Sequence, residues 1–596
     1  MDLDGGDQPL QSPDGNVVLI FNGEIFNHQE LRRELQQAGF HFGTHCDTEV
    51  VLNSYLHWGE SCFARFRGMF AIAVWVHSER RLLLARDRMG IKPLYYRLHE
   101  GEVFFGSELK CLFAHPDVPR NICLEALDAF LSLNYVPGPF TMVEGIVKLM
   151  PGQMLKWHSG AAHLFDFTLP ASASSGPATM EAACEQLDCL LSSAVREQLV
   201  SDTEVGIWLS GGLDSSTVLH YAAQHSEKTI KTFSVTFKGS AGDESEHIRQ
   251  VSRHYGTSHT EFDLNPEVDL VSAIEDLAFY SDEPSADAGA LPTWFLSQMT
   301  RQSATVALSG EGSDELFAGY LTYKADRYRS AMRWVPRSIR RAALACSRRL
   351  PAQNGRISFE YKLKRFLEGS LLSRDAAHVF WNGTNSASDK AEMYRFAYSG
   401  ALDAWLAQMQ GSGLQRFLDF DQRYYLADDI LYKVDRMSMA HSLEVRPPFL
   451  DPRIVDFARR LPAKFKLYGS TSKYVLRKLM ESKLPAHVLS RPKMGFDIPV
   501  HDWFRGVLRP LLLETLSRES IEATGLFRWP AVENLIERHL ERRENAGYQL
   551  WGLMVLLMWI KRWNIELPAS EQVSEVRVEE LDVVGSSSPQ LALSSS

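Results

Sequence analysis

The sequence predicts two unlike halves: a strand-rich α+β half over residues 1–168, and an α/β half built on a parallel sheet over 180–566. Three observations predict this. Short apolar runs (NVVLIF, MFAIAVWV, RLLLAR, EVFFGS) follow one another in the first half, each bounded by turn residues, as the strands of a layered sheet do. At 204–216 the chain reads EVGIWLSGGLDSS: an apolar run, a glycine turn, then a helix-like stretch from Thr217 to Gln224. Further apolar runs, KTFSVTF (231–237) and ATVALSG (304–310), alternate with helical stretches, the pattern of a doubly wound parallel sheet.

In chain order, HQELRRELQQAG (28–39) spaces its leucines as a helix and Gly39 closes it. LPASASSGPA lies within a linker over 169–179, small and flexible in composition. Near the far end, LWGLMVLLMWI (550–560) is too short for the roughly 18–20 apolar residues of a bilayer span. Ending in Lys561 and Arg562, it reads as a core helix whose last turn carries positive charge. The tail, 567–596, carries acids and then serines and cannot form a core, so disorder is expected there.

The 596 residues, 45% of them hydrophobic, are enough for two or more cores. A net charge of −11 argues against a nucleic-acid or membrane partner. The opening MDLDGGDQPL is not a signal peptide. The seven cysteines, Cys46, Cys62, Cys111, Cys123, Cys184, Cys189 and Cys346, show no CxxC pair and suggest buried thiols in a reducing compartment, with zinc not expected. A cytoplasmic location is expected.

The turn at 210–212 carries the most chemistry. Gly211 and Gly212 let backbone approach a ligand. The free N–H groups of the following helix start and its dipole favour an anion. Ser210, Ser215 and Ser216 add hydroxyls, and Asp214 sets a carboxylate beside that anion, which calls for Mg²⁺ between them. The lysine of a GxxxxGK[ST] loop is absent, so γ-phosphate transfer is not indicated. SGGxDS resembles the pyrophosphate loop of ATP pyrophosphatases, although any α/β domain can contain a serine-glycine turn.

A second loop, SGEGSDELFAGY (309–320), follows ATVAL and holds Glu311, Asp314 and Glu315. Carboxylates this dense repel one another unless a cation or proton is shared. Placed at the carboxyl edge of a parallel sheet, Asp214 and Asp314 could hold Mg²⁺ together, with Glu311 as a general base; a solvated acidic loop is the alternative. In RPKMGF (491–496), Lys493 could clamp an α-phosphate or be a plain surface lysine. DDILYKVDRMSMAHSLEVRPPFLD (428–451) has helical spacing to about Glu444. Its Arg and Lys could face a phosphate or pack in salt bridges. His220 and His441 are read as structural.

These motifs, with SDEPSAD (281–287), occur in the order found in the glutamine-hydrolysing asparagine synthetase family. FNGEIFNHQELRREL (21–35), CDTEV (46–50), FRGMFAIAVW (66–75), ARDRMGIKPLYY (85–96) and SELK (107–110) resemble its class II glutaminase domain. The resemblance implies an αββα, Ntn-type glutaminase half and an ATP-pyrophosphatase-like synthetase half. It implies glutamine binding by Asn22, Gly23, Glu24 and Asp47, and an ATP pocket lined by Leu209, Val235, Ser309 and Gly310. Asp214 and Asp314 would hold Mg²⁺, Glu311 would serve acyl-adenylate formation and amine attack, and Lys493 would stabilise the adenylation transition state.

One departure stands out. The family's glutaminase uses an N-terminal cysteine, whereas this chain begins Met1-Asp2 and its earliest cysteine, Cys46, is internal. Two expectations follow: a longer natural protein carrying the nucleophile, an arginine and a core strand ahead of Met1, or a silent glutaminase that leaves free ammonia or another amine as donor. Without that strand a sheet edge would be exposed. The function implied is AMP-forming amide synthesis using ATP and Mg²⁺, most simply asparagine from aspartate with glutamine or ammonia, in a chain that could pair as a homodimer. The same chemistry on another carboxylate, and a decayed regulatory homologue, are the alternatives.

Overall fold

The computed structural model describes residues 5–168, 176–238, 243–264, 269–353, 358–395, 401–491 and 498–568. Lys493, most of the expected linker and nearly all of the tail lie outside the described residues. Among the described residues nine strands belong to the first half: β1 Leu10–Gln11, β2 Val17–Ile25, β3 Gly68–Val76, β4 Arg81–Arg86, β5 Tyr95–His99, β6 Glu102–Gly106, β7 Val147–Lys148, β8 Gln153–His158 and β9 Ala161–Asp166. They form an antiparallel six-stranded sheet, β1-β2-β3-β4-β8-β9, and a three-stranded sheet, β6-β5-β7.

Alternation along β3 builds the layers, because successive side chains leave a strand on opposite faces. Phe70, Ile72, Val74 and Val76 pack against Leu31 and Leu35 of helix His28–Gln37 and Val50, Val51 and Tyr55 of helix Asp47–Trp58. Ala71 and Ala73 meet Tyr96, Leu98, Phe105 and Val147 of the second sheet. Small side chains on that face leave room for the aromatics opposite. Tyr95 turns the other way, toward helix Leu124–Leu133, in a core that continues into Trp551 and Trp559 of helix Gly547–Trp563. The order is therefore helix, sheet, sheet, helix, and the outer helical layer is shared with the second half.

The expected open edge is partly covered. β1 pairs only Leu10 with Leu19 and Gln11 with Val18 of β2. Beyond it the Gln8 side chain takes the place of a strand: its Oε1 accepts the Phe21 N–H at 2.6 Å and its Nε2 donates to Phe21 O at 2.9 Å. Farther on, Asp47 Oδ2 accepts the Ile25 N–H at 2.9 Å.

In the second half, β10 Val205–Trp208, β11 Lys231–Thr236, β12 Ser258–Asp263, β13 Val306–Leu308 and β14 Glu444–Arg446 form a parallel sheet ordered β12-β11-β10-β13-β14. The direction of strand progression reverses between β10 and β13, where open α/β sheets bind ligands at the carboxyl edge. β10 and β13 are the strands that lead into the two glycine loops.

Several expectations are corrected. The helix after β10 starts at Leu213, earlier than Thr217, because Asp214, Ser215 and Ser216 suit a first turn with free N–H groups. Glu444–Arg446 is a strand, not a helix end: the helix stops at Met439 and Ser442 adopts φ 56°. Three residues are too few for periodicity to register as a strand. Cys111, Cys189 and Cys346 are exposed, not buried. His220 hydrogen-bonds Tyr255 at 3.0 Å, and His441 packs edge-on to Trp294. No helix among the described residues is long and apolar enough to cross a membrane.

Candidate active site

Asp214 and Asp314 converge, and a lysine unsuspected from sequence joins them. Lys473 Nζ is 2.6 Å from Asp214 Oδ2 and 2.7 Å from Asp314 Oδ1. Asp214 Oδ1 also accepts the Ser313 hydroxyl at 2.8 Å. Lys473 is buried and heads helix Tyr474–Met480 with φ 52°, ψ 40°. That left-handed conformation is costly for a residue with a side chain, and such strain tends to persist at functional sites. Burial opposes its charge, but the Asp214 and Asp314 carboxylates outweigh burial and hold Lys473 above the usual lysine range.

The glycines make the convergence possible. A Cβ on Gly310 would lie 2.9 Å from Asp214 Cβ and 3.0 Å from Ser215 N, and one on Gly319 would collide with Asp314 Oδ1 and Lys473 Cε. Gly211 takes φ 68° as the first loop turns back. Ser215 Oγ accepts the Ser210 N–H at 3.2 Å, and the Ser210 and Ser215 hydroxyls are 3.0 Å apart. Gly212 caps the helix that follows. Leu209 and Val235 are buried beside this loop at the ends of their strands. The buried Ser216 and Ser309 hydroxyls have no hydrogen-bond partner among the described residues, as expected of groups that await a ligand.

The three acids of the second loop do not crowd one another, because each faces a different neighbour. Asp314 faces Lys473. Glu315 is buried and accepts the Tyr320 hydroxyl. Glu311 is half-buried and lines a pocket with Ile91, Ser309, Leu431, Val434 and Val445.

Two convergent carboxylates fit a magnesium ion, which binds hard oxygens and often uses one or two protein carboxylates with substrate phosphates completing its shell. Among the described residues no group of three or more His, Cys, Asp or Glu forms a cage, and such a shared site needs none.

Asn22, Gly23, Glu24 and Asp47 also come together, at the end of β2 and the start of helix Asp47–Trp58. Asn22 Nδ2 donates to Ser107 Oγ at 3.0 Å. Gly23 takes φ 148°, and a Cβ there would strike Met69 O at 1.9 Å. Glu24 and Asp47 are each 3% exposed. Burial first, and then the Asp47 carboxylate, push the Glu24 carboxyl up to about 8, against the pull of Arg446. Arg446 comes from β14 of the other half: its Nη2 is 3.5 Å from Glu24 Oε2, while its backbone O accepts the N–H of Ser309 at 3.0 Å. One residue thus touches both candidate sites. Cys46, next to Asp47, donates its thiol to Thr48 Oγ1 at 3.2 Å, and burial pushes its pKa up.

The basic residues of 428–451 pack against acids. Arg436 is buried against Asp435, Glu108 at 3.0 Å and Asp282 at 3.4 Å. Lys433 bonds Asp287. Sequence reasoning missed Lys473 because it stands alone after a tight turn, in SKYVLRK, with no spacing that ties it to Asp214.

Two family models match: Asparagine synthase over residues 186–561 and Glutamine amidotransferase domain over 1–168. "Asparagine synthetase [glutamine-hydrolyzing] 1" of Bacillus subtilis is 30% identical, with 94% of this chain and 88% of that protein covered. "Putative asparagine synthetase [glutamine-hydrolyzing]" of Mycobacterium tuberculosis is 33% identical, covering 92% and 85%. "Amidase chyE" of Penicillium rubens is 26% identical, covering 91% and 86%. A solved glutamine phosphoribosylpyrophosphate amidotransferase from B. subtilis overlaps with a TM-score of 0.21 at 15% identity, over 43% of this chain and 64% of that one, too slight to bear on the fold. With models matching both halves and relatives aligned along nearly its whole length, the chain belongs to the asparagine synthase family.

Proposed function

We propose that the protein activates a carboxylate as its adenylate and converts it to an amide, most simply aspartate to asparagine. The observation that carries this reading is the convergence of Asp214 and Asp314 on Lys473, at the switch point of the sheet. The acceptor carboxylate oxygen attacks the α-phosphorus of ATP, the α–β bridging P–O bond breaks and pyrophosphate leaves. Ammonia then attacks the acyl carbon, AMP departs with the former carboxylate oxygen, and a proton is lost from nitrogen.

The first-loop N–H groups and the Ser210, Ser215 and Ser216 hydroxyls hold the pyrophosphate. Lys473 supplies fixed positive charge where charge grows on the leaving group. A magnesium ion held by Asp214 and Asp314 would draw charge from the same phosphates. In this reading Glu311, which lines the pocket, takes the proton from the attacking nitrogen. That pocket includes Ile91 from the first half beside Glu311, Asp435 and Ser438. The nitrogen delivered there is ammonia, whether released from glutamine at Asn22, Gly23, Glu24 and Asp47 or supplied free. Lys493 is assigned the α-phosphate, and the reaction is assigned to the cytoplasm.

Pyrophosphate exchange into ATP, dependent on aspartate, tests this directly. Exchange with AMP as product is expected. Production of ADP, or exchange indifferent to any carboxylate, would end the reading.

A further inference from the structure

One stretch of the second half departs from the charge of the whole. Residues 327–349 hold eight arginines and no Asp or Glu, in a chain of net charge −11. Arginine in place of lysine favours planar anions such as carboxylates. Two helices carry the stretch, Leu321–Met332 and Arg337–Ser347. In the second, Arg340 Nη1 donates to Ser370 O, and Leu344 and Ser347 are buried. With those three turned inward, helical spacing sends Ser338, Arg341, Ala342 and Ala345 outward, and all four are exposed.

Apolar side chains share this exposure. Trp334 is 78% exposed, Tyr328 and Ile339 are each 56% exposed, and Leu350 is 41% exposed. The Arg333 guanidinium lies over the Trp334 ring at 4.8 Å. Arg348 is 3.8 Å from Glu368. Arg333, Arg337, Arg341 and Arg349 form no ion pair among the described residues. Large apolar side chains exposed along one short stretch and rimmed by charge mark a surface that meets another.

A matching segment lies in the same chain. Residues 569–584 read ASEQVSEVRVEELDVV: five acids and one arginine, interleaved with Val573, Val576, Val578, Leu581, Val583 and Val584. They lie outside the described residues, which end at Pro568. The tether is short enough. Gln353 O accepts Asn545 Nδ2 at 2.9 Å, so the basic stretch leads to the start of helix Gly547–Trp563. That helix is about 25 Å long at ~1.5 Å per residue. From Pro568 to Glu579 the chain can span up to about 36 Å, enough to return along it.

We propose that the acidic segment 571–584 docks on the arginine-rich face of 327–349. Its carboxylates meet Arg333, Arg341 and Arg349, and its valines and leucine cover Trp334, Ile339 and Leu350. An anionic bilayer would attract the same arginines, but this segment brings both the opposite charge and the apolar side chains, already tethered within reach. The contact does not depend on the ligase reading above.

Hydrogen exchange of the full chain, read peptide by peptide, tests the proposal, with the free peptide 569–596 as reference. Tethering supplies an effective concentration of about 1 mM, so a contact with a Kd of about 100 µM slows exchange over 571–584 about tenfold. About 0.5 M NaCl should abolish that protection, because exposed charges are screened. The double variant Arg341→Glu, Arg349→Glu should also abolish it, with Tm as the check of folding. Adding Glu579→Lys and Glu580→Lys to that variant should restore it. Exchange over 571–584 as fast as in the free peptide overturns the proposal. So does protection that survives the arginine reversals in a folded chain, or that the reciprocal reversals fail to restore. Protection lost on dilution would assign the segment to a second copy and overturn the contact within one chain. Binding to vesicles of phosphatidylcholine and phosphatidylserine, with 571–584 unprotected, would give the face to a lipid surface instead.

Discussion

Lys473 Nζ lies 2.7 Å from Asp314 Oδ1 while its other contact, Asp214, comes from a loop one strand away. A single ammonium thus holds together the two loops proposed to close on one nucleotide. Lys473→Met should lower the rate of pyrophosphate exchange by about 10²–10³, the usual effect of removing one transition-state charge donor. Leaving two half-buried carboxylates without their cation should also destabilise the fold by about 1–3 kcal/mol. Exchange kinetics and urea unfolding measure the two effects separately. If Lys493→Met stops exchange and Lys473→Met does not, the principal role passes to Lys493.

Gly319 is packed so closely that a methyl group would strike both Asp314 and Lys473. Gly319→Ala should therefore force the pair apart and weaken ATP·Mg²⁺ binding. The wild type should gain about 2.7 kcal/mol of stability at ligand concentrations one hundred times Kd, and the variant far less at the same concentration. Thermal unfolding with and without ATP·Mg²⁺ reads this. An undiminished ligand-induced rise in Tm would contradict the packing argument.

Glu24 carries a pH prediction. Its carboxyl is raised from 4.5 to about 8 by burial and by Asp47. The native state therefore keeps a proton that the unfolded chain has released across this window, and stability falls as pH rises through it. Glu24→Gln has no such proton to lose. Between pH 5 and pH 8 the wild type should lose up to about 4 kcal/mol relative to the variant. Urea unfolding at both pH values decides it, and parallel pH responses would refute it.

Gln8 closes part of a sheet edge with a side chain. Gln8→Ala should leave the Phe21 N–H and C=O without this partner, at a cost of about 1 kcal/mol. It should also raise self-association, because an unpaired edge invites another strand. Light scattering at rising concentration would show it, and a monodisperse variant of unchanged stability would count against the role given to Gln8.

Much of this was legible in the sequence because its causes are local. A glycine turn after an apolar run, SGGLDSS, marks a ligand loop wherever it folds. Alternation over Phe70–Val76 sets two faces of a strand, and the leucines of 28–39 set a helix. What escaped depends on distant partners. β14 is only three residues long and exists because β13 offers an edge. Arg436 sits against Glu108, and Lys433 against Asp287, through contacts that no spacing along the chain encodes. Lys473 meets Asp214 and Asp314 only when a turn far from both loops is folded against them.

The sequence by itself determined that there are two unlike halves, that the second is a parallel α/β layer, and that two glycine loops carrying Asp214 and Asp314 follow its strands. Local spacing and backbone preference suffice for these. Only the tertiary structure decided that one lysine binds those loops together, that Arg446 reaches from the parallel sheet to Glu24, and that the Oδ1 of buried Asp429 has no hydrogen-bond partner among the described residues. Charge pairing acts across space over a few ångströms, and the residues it joins here lie hundreds of positions apart in the chain.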